Sequence, residues 1–230
     1  MKIAENIEML EIASDGMALY PVLLWDDAEL VLIDTGLLGQ LALLKEAVAN
    51  AGFSLGQITK VIITHHDLDH IGNAKILAEL GAKILAHEID APYIQGDKPF
   101  IKVAEMEKRL PELNADQLVF YERIKKGAPY LYVHVDRLLK DGETLDFCGG
   151  IQVIHTPGHV PGHISLWLKQ SKVIVAGDAA NIVDGAIVGA NPQHTQDMME
   201  AQASFEKLLS LQANAIVCYH GGYMPSGTSC

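Results

Sequence analysis

The run Thr64-His65-His66-Asp67-Leu68-Asp69-His70 packs three imidazoles and two carboxylates into seven residues. It follows an apolar, β-branched run over 58–64 that reads as a strand, and residues 72–80 after it resume helical periodicity before Gly81. The local order is strand, polar loop, helix. Imidazole and carboxylate are the usual non-thiolate ligands for zinc, manganese and iron, and placing them at the end of a rigid strand reduces the entropy lost on binding. Taken alone, the run also suits a solvated polar loop.

Working outward, three more segments carry the same ligand types, each where an apolar strand should end. They are His155-Thr156-Pro157-Gly158-His159-Val160-Pro161-Gly162-His163, Gly177-Asp178, and His220 after Ile216-Val217-Cys218-Tyr219. Strand ends in a two-sheet protein can converge along one edge, so residues distant in sequence can form one multi-ligand site. Such a combination is far less accidental than any of its parts.

The rest of the chain supports a two-sheet arrangement. Residues 17–36 read as two strands turning at Asp26-Asp27. Residues 40–51 read as a helix with Leu41, Leu44, Val48 and Ala51 on one face and Gly52 as its stop. Residues 137–179 look β-rich, with turns at Asp141-Gly142 and Gly149-Gly150; 198–211 predicts an amphipathic helix and 215–219 a final strand. No sequence repeat or low-complexity linker divides the chain. The expectation is an α/β fold of two face-to-face sheets with helices outside, forming a single domain over 1–230. Residues 91–135, interrupted by Pro92, Pro99, Pro111 and Pro129, read as a partly helical insertion.

Composition narrows the function. A chain of 230 residues that is 49% hydrophobic can bury one large core. Its 29 acidic residues against 17 basic ones give a net charge of -12, which argues against a surface built to neutralise phosphate backbones and so against nucleic acid. The first twelve residues carry acids where a secretory signal needs an apolar stretch, and no later segment is apolar for long enough to cross a bilayer. The expectation is a cytoplasmic protein acting on a small molecule, with no membrane partner. Cys148, Cys218 and Cys230 are too few and too scattered for a disulfide framework or a cysteine zinc cluster, and read as core or tail thiols.

Thr64–His70 (THHDLDH) resembles the THxHxDH motif of the metallo-β-lactamase fold hydrolases. TPGHVPGH at 156–163, AGDAA at 176–180 and YHGG at 219–222 are similar to that family's later metal motifs, and LIDTG at 32–36 also matches. The motifs follow the family's order and cover most of the chain except 91–135. The resemblance implies an αββα sandwich of two mixed sheets flanked by helices. It also implies two divalent metal ions, zinc first, with iron or manganese as alternatives. Carried over residue by residue, it puts His65, position 67 and His159 on one metal, Asp69, His70 and His220 on the other, and Asp178 between them. The implied chemistry is attack of a metal-bound hydroxide on an ester-like carbonyl or a phosphorus centre, with Asp69 orienting the nucleophile and Asp178 bridging.

One position departs from the pattern. The family's second histidine is Asp67 here, giving H-x-D-x-D-H, with His66 next door. A one-residue slip would bring His66 to the metal instead, but neighbouring side chains in an extended loop point to opposite sides, which favours Asp67. Three carboxylates and one bridging hydroxide would then balance two divalent ions to zero formal charge. That predicts a less acidic bound water and a harder site, more tolerant of iron or manganese.

Other candidates take plainer roles. Asp34 and His163 fit as groups that hold ligands in place, because a metal-bound imidazole needs its other nitrogen occupied. His87, His134 and His194 lie apart from the ligand segments and read as ordinary hydrogen-bonding histidines, and His155 has no assigned role. Ser165 lacks a nucleophile elbow and is not read as a nucleophile. Tyr93, Phe100 and Tyr121 of the insertion are candidate substrate contacts, together with Phe120, Tyr130 and Tyr132 as parts of an apolar lid. Anchoring of the insertion, or a homo-oligomer interface, is the equal alternative for these aromatics.

Three functions compete on this reading. Hydrolysis of a small ester-like substrate leads, lactones and thioesters first, since family members with TPGHxPGH motifs and a helical insertion resemble hydrolases of those bonds. A di-iron redox protein, reducing oxygen or nitric oxide with a separate flavoprotein partner, follows from the acidic residue at position 67. A non-catalytic scaffold ranks last, because every metal position holds a residue able to bind.

Overall fold

The computed structural model describes residues 1–14 and 16–225; Cys230 lies outside them. In the strand Leu30–Ile33, Val31 and Ile33 enter one apolar cluster while Leu30 and Leu32 enter another. All four are buried, so this strand is covered on both faces, as its unbroken apolar run requires. The same division recurs in strand after strand and yields a four-layer fold.

In chain order the elements are β1 (Lys2–Ala4), β2 (Ile7–Met9), β3 (Ile12–Ser14), β4 (Met17–Leu19), β5 (Val22–Trp25), β6 (Leu30–Ile33), α1 (Leu41–Asn50), β7 (Lys60–Ile63), α2 (Leu68–Ile71), α3 (Ala74–Glu79) and β8 (Lys83–His87). There follow α4 (Ala91–Gln95), α5 (Ile101–Lys108), α6 (Ala115–Gly127), β9 (Arg137–Leu139), β10 (Thr144–Leu145), β11 (Ile151–His155), β12 (Ile164–Leu168), β13 (Val173–Val175), β14 (Ala180–Val183), β15 (Ala186–Gly189), α7 (Met198–Ser210), β16 (Ala215–Cys218) and β17 (Gly222–Pro225). One sheet has the order β1-β2-β5-β6-β7-β8-β9 and the other β10-β11-β12-β13-β16-β17. The first is antiparallel up to β6 and parallel from β6 through β9; in the second, β13 and β16 form the parallel pair.

Between the sheets lie Val22, Leu24, Val31, Ile33, Ile62 and Leu85 from one side and Val153, Leu166, Val175 and Val217 from the other. The alternate residues of the first sheet, among them Leu23, Leu32, Val61, Ile63 and Ile84, pack outward with Leu44 and Val48 of α1 and Leu77 of α3. Ile154, Ile174, Ile216 and Cys218 of the second sheet pack outward against Leu208 and Phe205 of α7. Asp197 caps α7 by accepting the N–H groups of Met199 and Glu200. The result is the αββα sandwich expected from the motifs, with two mixed sheets flanked by helices.

Residues 91–135 do not stand apart from this architecture. Ala91, Ile94, Phe100, Val103, Tyr121, Ile124 and Leu131 join the outer cluster of the first sheet, so α4, α5 and α6 extend its helical layer. The N-terminal pair β1–β2 and the hairpin β14–β15, neither anticipated from sequence, complete the strands. No helix of the described residues is long and apolar enough to cross a membrane.

The parallel strands aim their C-terminal ends at one edge. Asp34 follows β6, the 64–67 loop and α2 follow β7, Asp178 follows β13 and His220 follows β16. His159 lies in the connection between β11 and β12, and the N–H of Ile164 donates to the Thr64 carbonyl at 3.0 Å, tying the two sheets together there.

Candidate metal centre

Imidazole and carboxylate groups, most of them buried but Asp69 and His220 partly exposed, meet at this edge in three overlapping sets: His65, Asp67 and His159; His65, His70 and Asp178; and Asp69, His70 and His220. In each set the ligand atoms lie within 4.8 Å of one another. Asp67 Oδ2 is 3.0 Å from His159 Nε2 and 3.4 Å from His65 Nε2. Asp69 Oδ2 is 3.2 Å from His220 Nε2 and 3.8 Å from His70 Nε2. Asp178 divides its oxygens, with Oδ1 3.4 Å from His70 Nε2, and Oδ2 3.4 Å from His220 Nε2 and 3.6 Å from His159 Nε2.

Several of these atoms are buried without a hydrogen-bond partner, namely His65 Nε2, His70 Nε2 and Asp178 Oδ1. Orphaned buried polar atoms are costly, and here they converge from different elements on one place. A cation is the group that nitrogen lone pairs and carboxylate oxygens can share, so the residues fit divalent metal ions.

The surrounding hydrogen bonds fix which nitrogen each imidazole presents. Asp34, held at φ 59, accepts the N–H of Thr64 at 2.9 Å through Oδ1; its Oδ2 accepts the Thr64 hydroxyl at 2.7 Å and His70 Nδ1–H at 2.9 Å. With the single Thr64 hydroxyl proton directed to Asp34, Thr64 Oγ1 is left to accept Nδ1–H of His65 at 3.1 Å. Both histidines therefore turn an Nε2 lone pair inward. His163 works similarly on a neighbouring loop. Its Nε2 accepts the Asp178 N–H at 3.0 Å, so its Nδ1–H donates to Thr156 Oγ1 at 2.8 Å. Thr156 and Ser165 hydroxyls lie 2.9 Å apart, and Ser165 donates to the Ala176 carbonyl at 2.8 Å. Ser165 is thus a buried link in this chain, in keeping with its exclusion as a nucleophile.

Burial and charge shift these groups strongly. Burial, then the neighbouring His70, pushes the His65 imidazole well below the usual histidine range. Burial and His159 bring His163 down to about 3. Burial opposes a charged His220, but hydrogen bonds with Asp178 and Asp69 raise it to about 9. For Asp178 and Asp67 burial also opposes charge, yet His70 and His220 around the first, and His159, His65 and Lys102 around the second, hold both carboxyls well below the usual range.

His66 points elsewhere. It is 1% exposed, its Nδ1 is 2.9 Å from Asp90 Oδ1, and its ring stacks on Tyr93 at 4.7 Å and on Phe100 at 6.1 Å. It belongs to none of the three ligand sets, whereas Asp67 does.

Residues 20–220 match the model of the metallo-beta-lactamase superfamily. The chain belongs to this superfamily. It is similar to the Bacillus subtilis protein YobT, 30% identical over 91% of this chain and 87% of that one. It is also similar to the probable metallo-hydrolase YflN of the same organism, 29% identical over 72% of this chain but only 65% of YflN. A hydroxyacylglutathione hydrolase of Rhodospirillum rubrum is 28% identical over 59% of this chain and 39% of its own length. Among solved structures, the metallo-beta-lactamase family protein TTHA1429 of Thermus thermophilus matches 97% of this chain and 76% of its own with a TM-score of 0.78; at 23% identity this shows the shared fold.

Two expectations need correction. Phe100 and Tyr121, read as substrate contacts, are 3% and 1% exposed and leave a substrate almost nothing to touch. The Tyr121 hydroxyl instead donates to Glu107 and accepts from the Lys125 ammonium, and Phe100 packs on His66 and Tyr132. Tyr93 is half-buried beside His66. His87 and His155, assigned no place in the centre, stack on each other at 4.5 Å, and His155 Nε2 lies 2.8 Å from the Pro161 carbonyl.

Three contributors were not read from the sequence. Tyr219 is buried against His70, accepts the Gly36 N–H at 3.0 Å and donates to the Asp69 carbonyl at 2.6 Å. Asp90 holds His66. Lys102 of α5 forms a close ion pair with Asp67 Oδ2. Tyr219 does stand beside the His220 motif, which is a signal of a kind; nothing local marks Asp90 or Lys102.

Proposed function

We propose that this superfamily member is a hydrolase of small ester-like substrates, a thioester or lactone, working in the cytoplasm with two divalent metal ions, zinc first. The observation that carries the reading is the position of Asp178 between the two sets, its carboxylate 3.6 Å from His159 Nε2 of one and 3.4 Å from both His70 Nε2 and His220 Nε2 of the other. Such a carboxylate suits a pair of ions, with His65, Asp67 and His159 holding one and Asp69, His70 and His220 the other. When bound, the ions would supply an acidified water and polarise the scissile carbonyl.

The chain's own groups supply the rest. Asp34, Thr64 and His163 keep imidazoles and loops in register, so little reorganisation is needed during reaction. Asp69, 21% exposed at its side chain, is the most accessible of the three carboxylates and can accept a hydrogen bond from an attacking water, orienting it. Relatives named for an acyl-glutathione substrate support a thioester as the bond.

Proton release by zinc- or manganese-loaded protein against lactones, thioesters, phosphodiesters and β-lactams, with His220→Ala as control, tests the reading. Turnover of thioesters or lactones that the control loses is expected. Silence across the whole panel would contradict it.

A further inference from the structure

Asp67 Oδ2 has three nitrogen neighbours. Two are the imidazoles that would share a metal with it, and the third is the ammonium of Lys102, supplied by α5. Asp67 is nearly closed off, its side chain 9% exposed, whereas that of Lys102 is 39% exposed. Lys102 is the one lysine or arginine whose ion pair reaches the ligand sets among the described residues. Its helix is fixed by Phe100 and Val103, both buried in the outer core, so the stem starts from a firm base beside the cluster.

We propose that Lys102 is an internal competitor for the His65–Asp67–His159 half of the centre, an ammonium that neutralises Asp67 when no metal is there and must leave its oxygen when one arrives. The inference rests on the reading that this half holds a divalent ion. An ammonium and a divalent cation cannot both sit against one carboxylate oxygen without strong repulsion at low effective dielectric. The buried carboxylate cannot move to water, but the long, half-exposed lysine can swing its charge outward at little cost. Loading of this half is thus an exchange of one cation for another. Among the described residues no such ammonium reaches the Asp69–His70–His220 half, so the two halves have unequal affinities, with the Asp67 half weaker and more exchangeable. The departure from histidine at position 67 gains a reason as well. A carboxylate paired with an ammonium carries no net charge in the metal-free protein, as a neutral imidazole would not, and recovers its charge only for the metal.

The test is metal affinity, read by competition with a chromophoric chelator for zinc and separately for manganese, with no substrate present. His220→Ala isolates the Asp67 half, and Lys102→Met is added to it, keeping the aliphatic stem while deleting the charge. The double variant should bind the ion about tenfold more tightly than His220→Ala alone, the scale of one exposed-to-half-buried ion pair. Lys102→Arg should restore the weaker binding, and Lys98→Met, a neighbouring lysine that contacts Tyr93 rather than Asp67, should leave it unchanged. In the metal-free state Lys102→Met should also melt earlier, because Asp67 loses its cation, while gaining more from added metal. Equal or weaker binding in the Lys102→Met pair would overturn the proposal while leaving the metal centre intact. Failure of the wild-type chain to bind any ion would overturn the metal-centre reading and the proposal together.

Discussion

Asp34 and His70, 36 positions apart, meet at 2.9 Å with the imidazole Nδ1–H donating to the carboxylate. That bond decides which nitrogen of His70 faces the cluster. An Asp34→Ala variant frees the ring to rotate and to change tautomer, so metal affinity should fall by about 10- to 100-fold. Chelator competition measures it, and an unchanged affinity would show that packing alone orients His70.

His66 and Asp67 have opposite duties, and substitution should separate them. Asp67→Ala should cost one equivalent of bound metal per chain with little change in metal-free stability beyond the loss of its ion pair. His66→Ala should keep both equivalents but destabilise the fold by about 2–4 kcal/mol, since it removes a buried ring from Tyr93 and Phe100 and strands Asp90. Metal analysis and denaturant melts distinguish the two. Loss of metal from the His66 variant with two equivalents kept by Asp67→Ala would reverse the assignment.

Gly177 precedes the dividing carboxylate Asp178 at φ +56, and a Cβ there would meet His163 Nε2 at 2.6 Å. Gly177→Ala therefore strains the backbone and displaces the imidazole that accepts the Asp178 N–H. The expected result is a destabilisation of about 1–3 kcal/mol together with weaker metal binding. Full metal affinity in this variant would mean that the loop re-forms without the His163 contact.

Stability of the metal-free protein should peak near neutral pH. His220, folded at about 9, takes up a proton more readily than in the unfolded chain, so its contribution is complete below about pH 6.5 and lost as pH rises through about 9. His163, folded at about 3, refuses a proton that the unfolded chain accepts, so stability falls as pH drops from about 6.5 towards 3. Melting temperatures of chelator-treated protein across this range should show both limbs, and His220→Ala should flatten the alkaline one. A melting temperature that rises between about pH 6.5 and 9 would contradict the assignment.

The sequence made the layers and the ligand groups legible for one physical reason: each ligand segment sits at the end of an apolar run, and period-two alternation within those runs sorts residues to the two sheet faces. β6 and β7 show this directly, with Val31, Ile33 and Ile62 inward and Leu32, Val61 and Ile63 outward. What stayed hidden was set by contacts between distant segments. Lys102 reaches Asp67 across 35 positions, and Tyr219 reaches the Asp69 carbonyl across 150; neither leaves a local pattern. The aromatics of residues 91–135 were legible as apolar, but whether they cover a substrate or a core depends on where α5 and α6 pack. Phe100 and Tyr121 went to the core. The hairpin β14–β15 escaped because its strands are half exposed and carry little apolar periodicity.

The central claim is a two-ion hydrolytic centre, and the most direct measurement is hydrolysis of a thioester during stepwise addition of zinc to metal-free protein, with bound metal counted at each step. The account predicts two equivalents bound per chain, activity that rises with occupancy, and loss of one equivalent and of the activity in His220→Ala. Thioester hydrolysis that proceeds without metal, or a chain that binds two ions and hydrolyses no ester-like bond, would contradict it.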